Sequence, residues 1–229
     1  MENNIHGVLQ YIMAFPSVYD MTNASMTTVR KQHFWEYFSG SATSASTFEA
    51  QSRWTTSNIT HTGTYAMVDE ADEGFSILSS TSGARSAIGF NNIRQFSPTA
   101  SVAIFDLRRM TDASHDSYAG FKFDDTNSTF CDTAVVSQAS YATNIGLYTG
   151  ASTGTPSNQT DSNVARDTAW HNYKIENGSA NIKLSIDGVV KIIKTSERPI
   201  KKMQPFVLNS TNTSASKETR IKYFEAYNT

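Results

Sequence analysis

"WHNYKIENGSANIKLSIDGVV", running from Trp170 to Val190, holds two alternating runs and two turn signals. His171, Tyr173 and Ile175 alternate with Asn172, Lys174 and Glu176, and Ile182, Leu184 and Ile186 alternate with Lys183, Ser185 and Asp187. A period of two puts each apolar set on one side of a strand. A helix needs apolar residues three and four apart, and neither run has them. Asn177-Gly178 and Asp187-Gly188 supply the positive φ angles of two-residue hairpin loops at low steric cost. The stretch therefore predicts two consecutive hairpins in an antiparallel sheet with one wet face.

Outward from it, strand-like runs recur at short intervals: "TYAMVDE", "GFSILSS", "SAIGF", "ASVAIFDLRRM", "YAGFKFD", "TAVVSQ", "NIGLYTG", "VVKIIKT", "PFVLNS" and "RIKYFEAY". That spacing predicts an all-β sandwich or barrel. Polar loops separate the runs, the longest spanning 149–168. A chain of 229 residues is long enough to bury one full core. Phe105, Leu107, Phe121, Phe123, Tyr173, Ile175, Ile182, Leu184 and Ile186 are the predicted core. Residues 1–32 break the pattern and are read as an arm or short helical segment beside a domain over 33–229. The arm's Val8, Leu9, Ile12, Met13 and Phe15 need cover, from a neighbouring subunit or from the chain's own sheet. The first of these predicts a homo-oligomer, with a trimer in view.

The same residues carry a resemblance. "WHNYKIENGSANIKLSIDGVV" resembles the aromatic-His-x-Tyr-x-Ile, strand, Asp-Gly segment of the concanavalin A-like lectin and glucanase superfamily, which includes laminin-G-like modules. "IKYFEAYN" is similar to the closing strand of that superfamily, and together the two segments cover about the last sixty residues. The resemblance implies a jelly roll of two antiparallel sheets and does not imply an enzyme. Retaining glycoside hydrolysis needs two carboxyl groups about 5 to 5.5 Å apart. The acidic cluster Asp69–Gly74 puts Glu70 and Asp72 on one face and Glu73 on the other, so the Glu-x-Asp-x-Glu spacing of the hydrolases is missing. It reads as a solvated turn, and it lacks the alternating oxygen ligands of a calcium loop. "YFEAYN" also resembles the Tyr-Phe-Lys-Ala-Gly-x-Tyr segment of jelly-roll polysaccharide lyases, but Glu225 replaces the Lys and the Gly is absent. A lyase needs base, acid and carboxylate neutraliser in one groove. Tyr223, Tyr227, Arg108 and His171 are the isolated candidates, each more simply a core aromatic, a surface charge or a strand-edge residue.

A formal net charge of -2 leaves no basic footprint for nucleic acid. No apolar run is long enough to insert in a membrane. The opening residues lack the basic start and unbroken apolar run of a secretion signal. Cys131 is the single cysteine and reads as a small buried apolar residue, so no internal disulfide, metal or cofactor is expected. Seven Asn-x-Ser/Thr sequons, at Asn23, Asn58, Asn127, Asn158, Asn177, Asn209 and Asn212, follow from Ser- and Thr-rich loops, and glycosylation is not predicted.

Binding is the remaining expectation. Asp106 and Arg108 share one face of "SVAIFDLRRM", and Tyr118 and Lys122 share one face of "YAGFKFD". If those faces adjoin, the four line a groove suited to a hydroxyl-rich polysaccharide. Trp54 and Trp170 offer rings for stacking, although aromatic residues at strand starts also serve as core anchors, and Trp35 carries the same ambiguity. The leading reading is a non-enzymatic structural or binding module on a virion or extracellular surface, a capsid decoration or fibre protein among other particle proteins. A general likeness to marine phage proteins adds the viral setting. The alternative is a carbohydrate-active enzyme, lyase before hydrolase.

Overall fold

The computed structural model describes residues 32–38, 44–60, 63–67, 74–111, 114–123, 132–140, 142–151, 159–213 and 215–229. The expected arm up to residue 31, the cluster of Glu70, Asp72 and Glu73, Cys131, and the sequons at Asn23, Asn127 and Asn158 lie outside them.

The chain runs β1 (His33–Tyr37), α1 (Ala45–Gln51), β2 (Thr55–Thr60), β3 (Gly63–Met67), β4 (Phe75–Ser79), β5 (Arg85–Gly89), β6 (Ser101–Arg109) and β7 (His115–Lys122). It continues through β8 (Thr133–Gln138), β9 (Asn144–Gly150), β10 (Thr160–Ala165), β11 (His171–Asn177), β12 (Ile182–Ile186), β13 (Val189–Lys194), β14 (Gln204–Thr211) and β15 (Lys217–Asn228). Helix α1 starts at Ser44, whose side chain accepts from the Thr47 backbone in a capping box.

Among the described residues every strand pair is antiparallel, and the strands form two sheets. One has eight strands in the order β13-β12-β11-β6-β15-β4-β3, with β1 also on β15; the other has seven, β10-β9-β8-β7-β14-β5-β2. This is the two-sheet antiparallel jelly-roll sandwich, and about half of its strand pairs join strands that are not consecutive in the chain.

The opening stretch folds as expected with one change. Asp187 (φ 50°) and Gly188 (φ 79°) make the tight turn between β12 and β13. Asn177 instead ends β11, buried, with its Nδ2 donating to Ser101 Oγ at 3.1 Å, and the turn is the longer 178–181, closed by Gly178 N–H donating to Asn181 O at 2.8 Å. A side chain that finds a buried partner has been drawn out of the turn and into the ladder.

Between the sheets, Phe105, Leu107, Tyr173, Ile175, Ile182, Leu184 and Ile186 from one side meet Phe121, Val136, Leu147 and Val207 from the other. Phe123 departs from the predicted core. It is partly exposed just past β7, with Arg94 Cζ 3.8 Å and Lys201 Nζ 4.9 Å from its ring centroid. Gly120 (φ 142°) holds β7 close to its neighbours, because a Cβ there would lie 2.5 Å from Ala134 O and 2.7 Å from Ile175 Cδ1.

One end of the core is polar. Arg109 of β6 is fully buried and donates from Nη1 to the carbonyls of His115 and Gln138, 2.8 Å each, across the gap between the sheets. His115 Nε2 lies 2.5 Å from Asn209 Oδ1 and 3.0 Å from Thr219 Oγ1, and Ser117 Oγ lies 2.5 Å from the same Thr219 oxygen. Burial first, then the Arg109 charge, lowers the His115 pKa to about 4, so the ring stays neutral. Asn209 Nδ2 donates to Ser79 Oγ and Lys217 O. The buried amides of Asn177 and Asn209 are thus structural, and two of the sequons are closed to a glycan.

Candidate functional site

The predicted groove does not form. Asp106 and Arg108 lie on β6 in the eight-stranded sheet, while Tyr118 and Lys122 lie on β7 in the seven-stranded sheet, so their outward sides point away from each other across the core. The short link between β6 and β7 reads locally like a hairpin, yet it carries the chain from one sheet to the other. Trp54 is also corrected as a ligand platform. It is 1% exposed, ringed by Phe34, Phe38, Phe90 and Phe224 at centroid distances of 5.1 to 5.8 Å, and so a core anchor.

The outward face of the seven-stranded sheet is mostly closed. Tyr118, Val135, Phe206, Leu208, Ala87 and Ala139 form a second apolar cluster there, with Tyr148 packed against it. Lys122 is 1% exposed, its Nζ 4.7 Å from the Phe206 ring centroid. Strand alternation puts two described acids on this face, Asp116 on β7 and Asp161 on β10. β8 and β9 lie between them, a separation of three strand spacings or about 14 Å. That exceeds the reach of either hydrolytic geometry. Asp116 is in any case engaged, accepting from Ser140 N at 2.5 Å and Asn212 Nδ2 at 3.3 Å.

The outward face of the eight-stranded sheet is open. β1 and β15 pair in the register His33↔Tyr227, Trp35↔Glu225 and Tyr37↔Tyr223, which sets these six side chains on one side. Phe34 and Phe38, at the alternate positions, are buried in the core and fix that parity. Trp35 is 48% and Tyr37 61% exposed. Tyr37 and Tyr223 lean on each other at 4.8 Å, and His33 meets Tyr227 edge-on at 5.7 Å. Glu225 stands among the rings, accepting from the Tyr223 hydroxyl at 2.7 Å and lying 2.8 Å from His33 Nε2.

β6 continues this face on the other side of β15, with Asp106 opposite Tyr223 and accepting from Asn172 Nδ2 at 2.7 Å. Arg108 follows, its Cζ 5.8 Å from the Trp170 ring centroid. The structure therefore brings Asp106, Arg108 and Trp170 together and leaves Tyr118, Lys122 and Trp54 elsewhere. His171 sits at the strand end between Asp187 Oδ2 (2.7 Å) and Asp167 Oδ1 (3.1 Å). Burial alone lowers its pKa, but the hydrogen bonds to the two carboxylates outweigh that and raise it.

The described carboxylates of the open face already have hydrogen-bond partners. Asp106 and Glu225 are diagonal neighbours on adjacent strands, but both Glu225 oxygens are engaged by Tyr223 and His33, and Asp106 Oδ1 accepts from Asn172. Burial, with the Glu225 hydrogen bond and charge behind it, pushes the Tyr223 phenol well above its ordinary range, so it keeps its proton and is a poor base for a lyase. No group of three His, Cys, Asp or Glu that could hold a metal occurs among the described residues. Among them, no helix is long and apolar enough to cross a membrane.

No protein-family model and no curated protein matches the chain. Solved structures do match it in fold. A sialidase aligns at TM-score 0.61 and 12% identity over 86% of this chain, which spans only 18% of the sialidase. The Bacillus licheniformis beta-glucanase aligns at TM-score 0.58 and 12% identity, covering 86% of this chain and 98% of its own. The carbohydrate binding module CBM66 from Bacillus subtilis aligns at 0.50 and 12%, covering 74% and 92%. The structural neighbours are thus concanavalin A-like jelly-roll enzymes and carbohydrate-binding modules.

Proposed function

We propose that this protein is a non-catalytic β-sandwich that binds polysaccharide. The observation that carries the reading is the state of its carboxylates. On the open sheet face Asp106 and Glu225 are held as hydrogen-bond acceptors, and on the closed face Asp116 and Asp161 stand too far apart to share a glycosidic bond. Fixed acceptors and donors beside exposed rings suit recognition of hydroxyls and sugar C–H faces. The fold neighbours, among them a beta-glucanase and a carbohydrate binding module, support a glycan as the ligand class. A virion or other extracellular surface, with assembly as a homo-oligomer, is the setting proposed with this function. It rests on a charged fraction of only 17%, as in β-rich particle-surface modules, and on the arm reading of residues 1–32.

Affinity electrophoresis through gels cast with single polysaccharides, run beside reducing-end and unsaturated-product assays, tests the reading. Retardation without product is expected. Product release by the wild type that disappears in Glu225→Gln would make the protein an enzyme.

A further inference from the structure

The stripe of rings along β1 and β15 is laid out on a regular grid. Outward positions on a strand repeat at about 7 Å, and the paired strand lies about 5 Å away. His33, Trp35 and Tyr37 therefore make one row, and Tyr227, Glu225 and Tyr223 the row beside it. The two most exposed rings, Trp35 and Tyr37, follow each other on the outer row. A compact core of a protein interface would bring apolar groups together and exclude charge. Here a carboxylate stands opposite the indole and hydrogen-bonds a neighbouring phenol.

A pyranose has the complementary construction, a flat C–H face ringed by hydroxyls. Rings with hydrogen-bonding atoms at their margins meet both parts at once. Charge narrows the class further. Glu225 on β15 stands within the stripe, its charge next to His33, and Asp106 lies on β6 beside it, while Arg108 lies farther along β6 against Trp170, away from the Trp35–Tyr37 row. A uronate or sulfated chain lying here would bring its own anions against the two carboxylates. We infer that the β1–β15 stripe binds a neutral, extended polysaccharide, with Trp35 and Tyr37 stacking on its sugar rings and Glu225 accepting from its hydroxyls. This inference rests on the polysaccharide-binding reading above and adds the face, the residues and the charge class.

The wild type, Trp35→Ala, Tyr37→Ala, the double alanine variant and Trp35→Phe are compared on soluble laminarin, mixed-linkage β-glucan, galactomannan and alginate. Tryptophan fluorescence, affinity electrophoresis and solution mass are read on each. The wild type is expected to bind at least one neutral polymer, with a shift in emission from Trp35, and to leave alginate unbound. Each alanine change should weaken binding about tenfold, the loss of one stacked ring. Trp35→Phe should keep most of the binding and lose the emission shift. Because both rings are largely exposed, melting temperature should not move, which separates a lost site from a lost fold. Equal binding by wild type and double variant would place the ligand elsewhere, overturning this inference while sparing the binding function. Preference for alginate would overturn the charge class. No binding to any polymer would remove both readings, and a double variant that changes only solution mass would make the stripe a contact between copies.

Discussion

The two sheets share a core and differ in what they turn away from it. Outside the seven-stranded sheet, Tyr118, Val135, Phe206 and Leu208 are buried in a cluster of their own. Outside the eight-stranded sheet, Trp35 and Tyr37 stand in solvent beside carboxylates and an imidazole. Residue type does not separate the faces, since both carry aromatic rings and ionisable groups. Burial does, and it teaches that an aromatic residue in this chain is structural on one side and available for recognition on the other.

Phe206→Ala on the closed face should cost about 3 to 5 kcal/mol, because it empties a fully buried ring site. Chemical denaturation measures it, and a cost under about 1 kcal/mol would show that the closed face is loosely packed.

Each sheet also carries one group whose titration sharpens the contrast, with opposite signs. His115 of the seven-stranded sheet falls from 6.5 to about 4, so the unfolded chain takes up its proton first. Its contribution is present above pH 6.5 and lost as pH falls through 4, about 3 kcal/mol in all. His115→Asn should flatten that acid-side slope. Glu36 on β1 goes the other way, raised by burial from 4.5 to about 7 against the pull of Arg53. Its contribution is present below pH 4.5 and lost as pH rises through 7. Glu36→Gln should therefore raise the melting temperature by a few degrees at pH 8 and leave it unchanged at pH 4. A variant less stable than the wild type at pH 8 would overturn the assignment. The smallest effect belongs to Tyr37→Ala, expected within about 0.5 kcal/mol of wild-type stability.

Much of this contrast is invisible along the chain. The alternation of β11 and β12 and the Asp187-Gly188 turn are local, and they were legible because local backbone chemistry specifies them. Which strands become neighbours is not local. β6 lies between β11 and β15 in one sheet and β7 lies across the core in the other, so the parity of Asp106 and of Tyr118 was readable while their shared groove was not. Trp35 and Trp54 carry the same ambiguity in sequence, each a stacking ring or a core anchor. The pairing of β1 with β15 turns Trp35 outward, while Trp54, just before β2, fills the core. Arg109 and Lys122 carry no mark of burial, since what makes it tolerable is a set of carbonyls and a ring brought in from other strands.

The strand order carries a consequence for how the molecule is made. β15 comes last among the fifteen strands, yet it lies at the centre of the eight-stranded sheet, joining β6 to β4 and β1. Without it that sheet would be two halves, and Phe105 and Leu107 would lack a neighbour on one side. Closure then depends on pairs such as His33 with Tyr227, almost the whole domain apart. Folding should be slow and should await synthesis of β15, and a nascent chain stalled before Lys217 should stay open to proteases and chaperones.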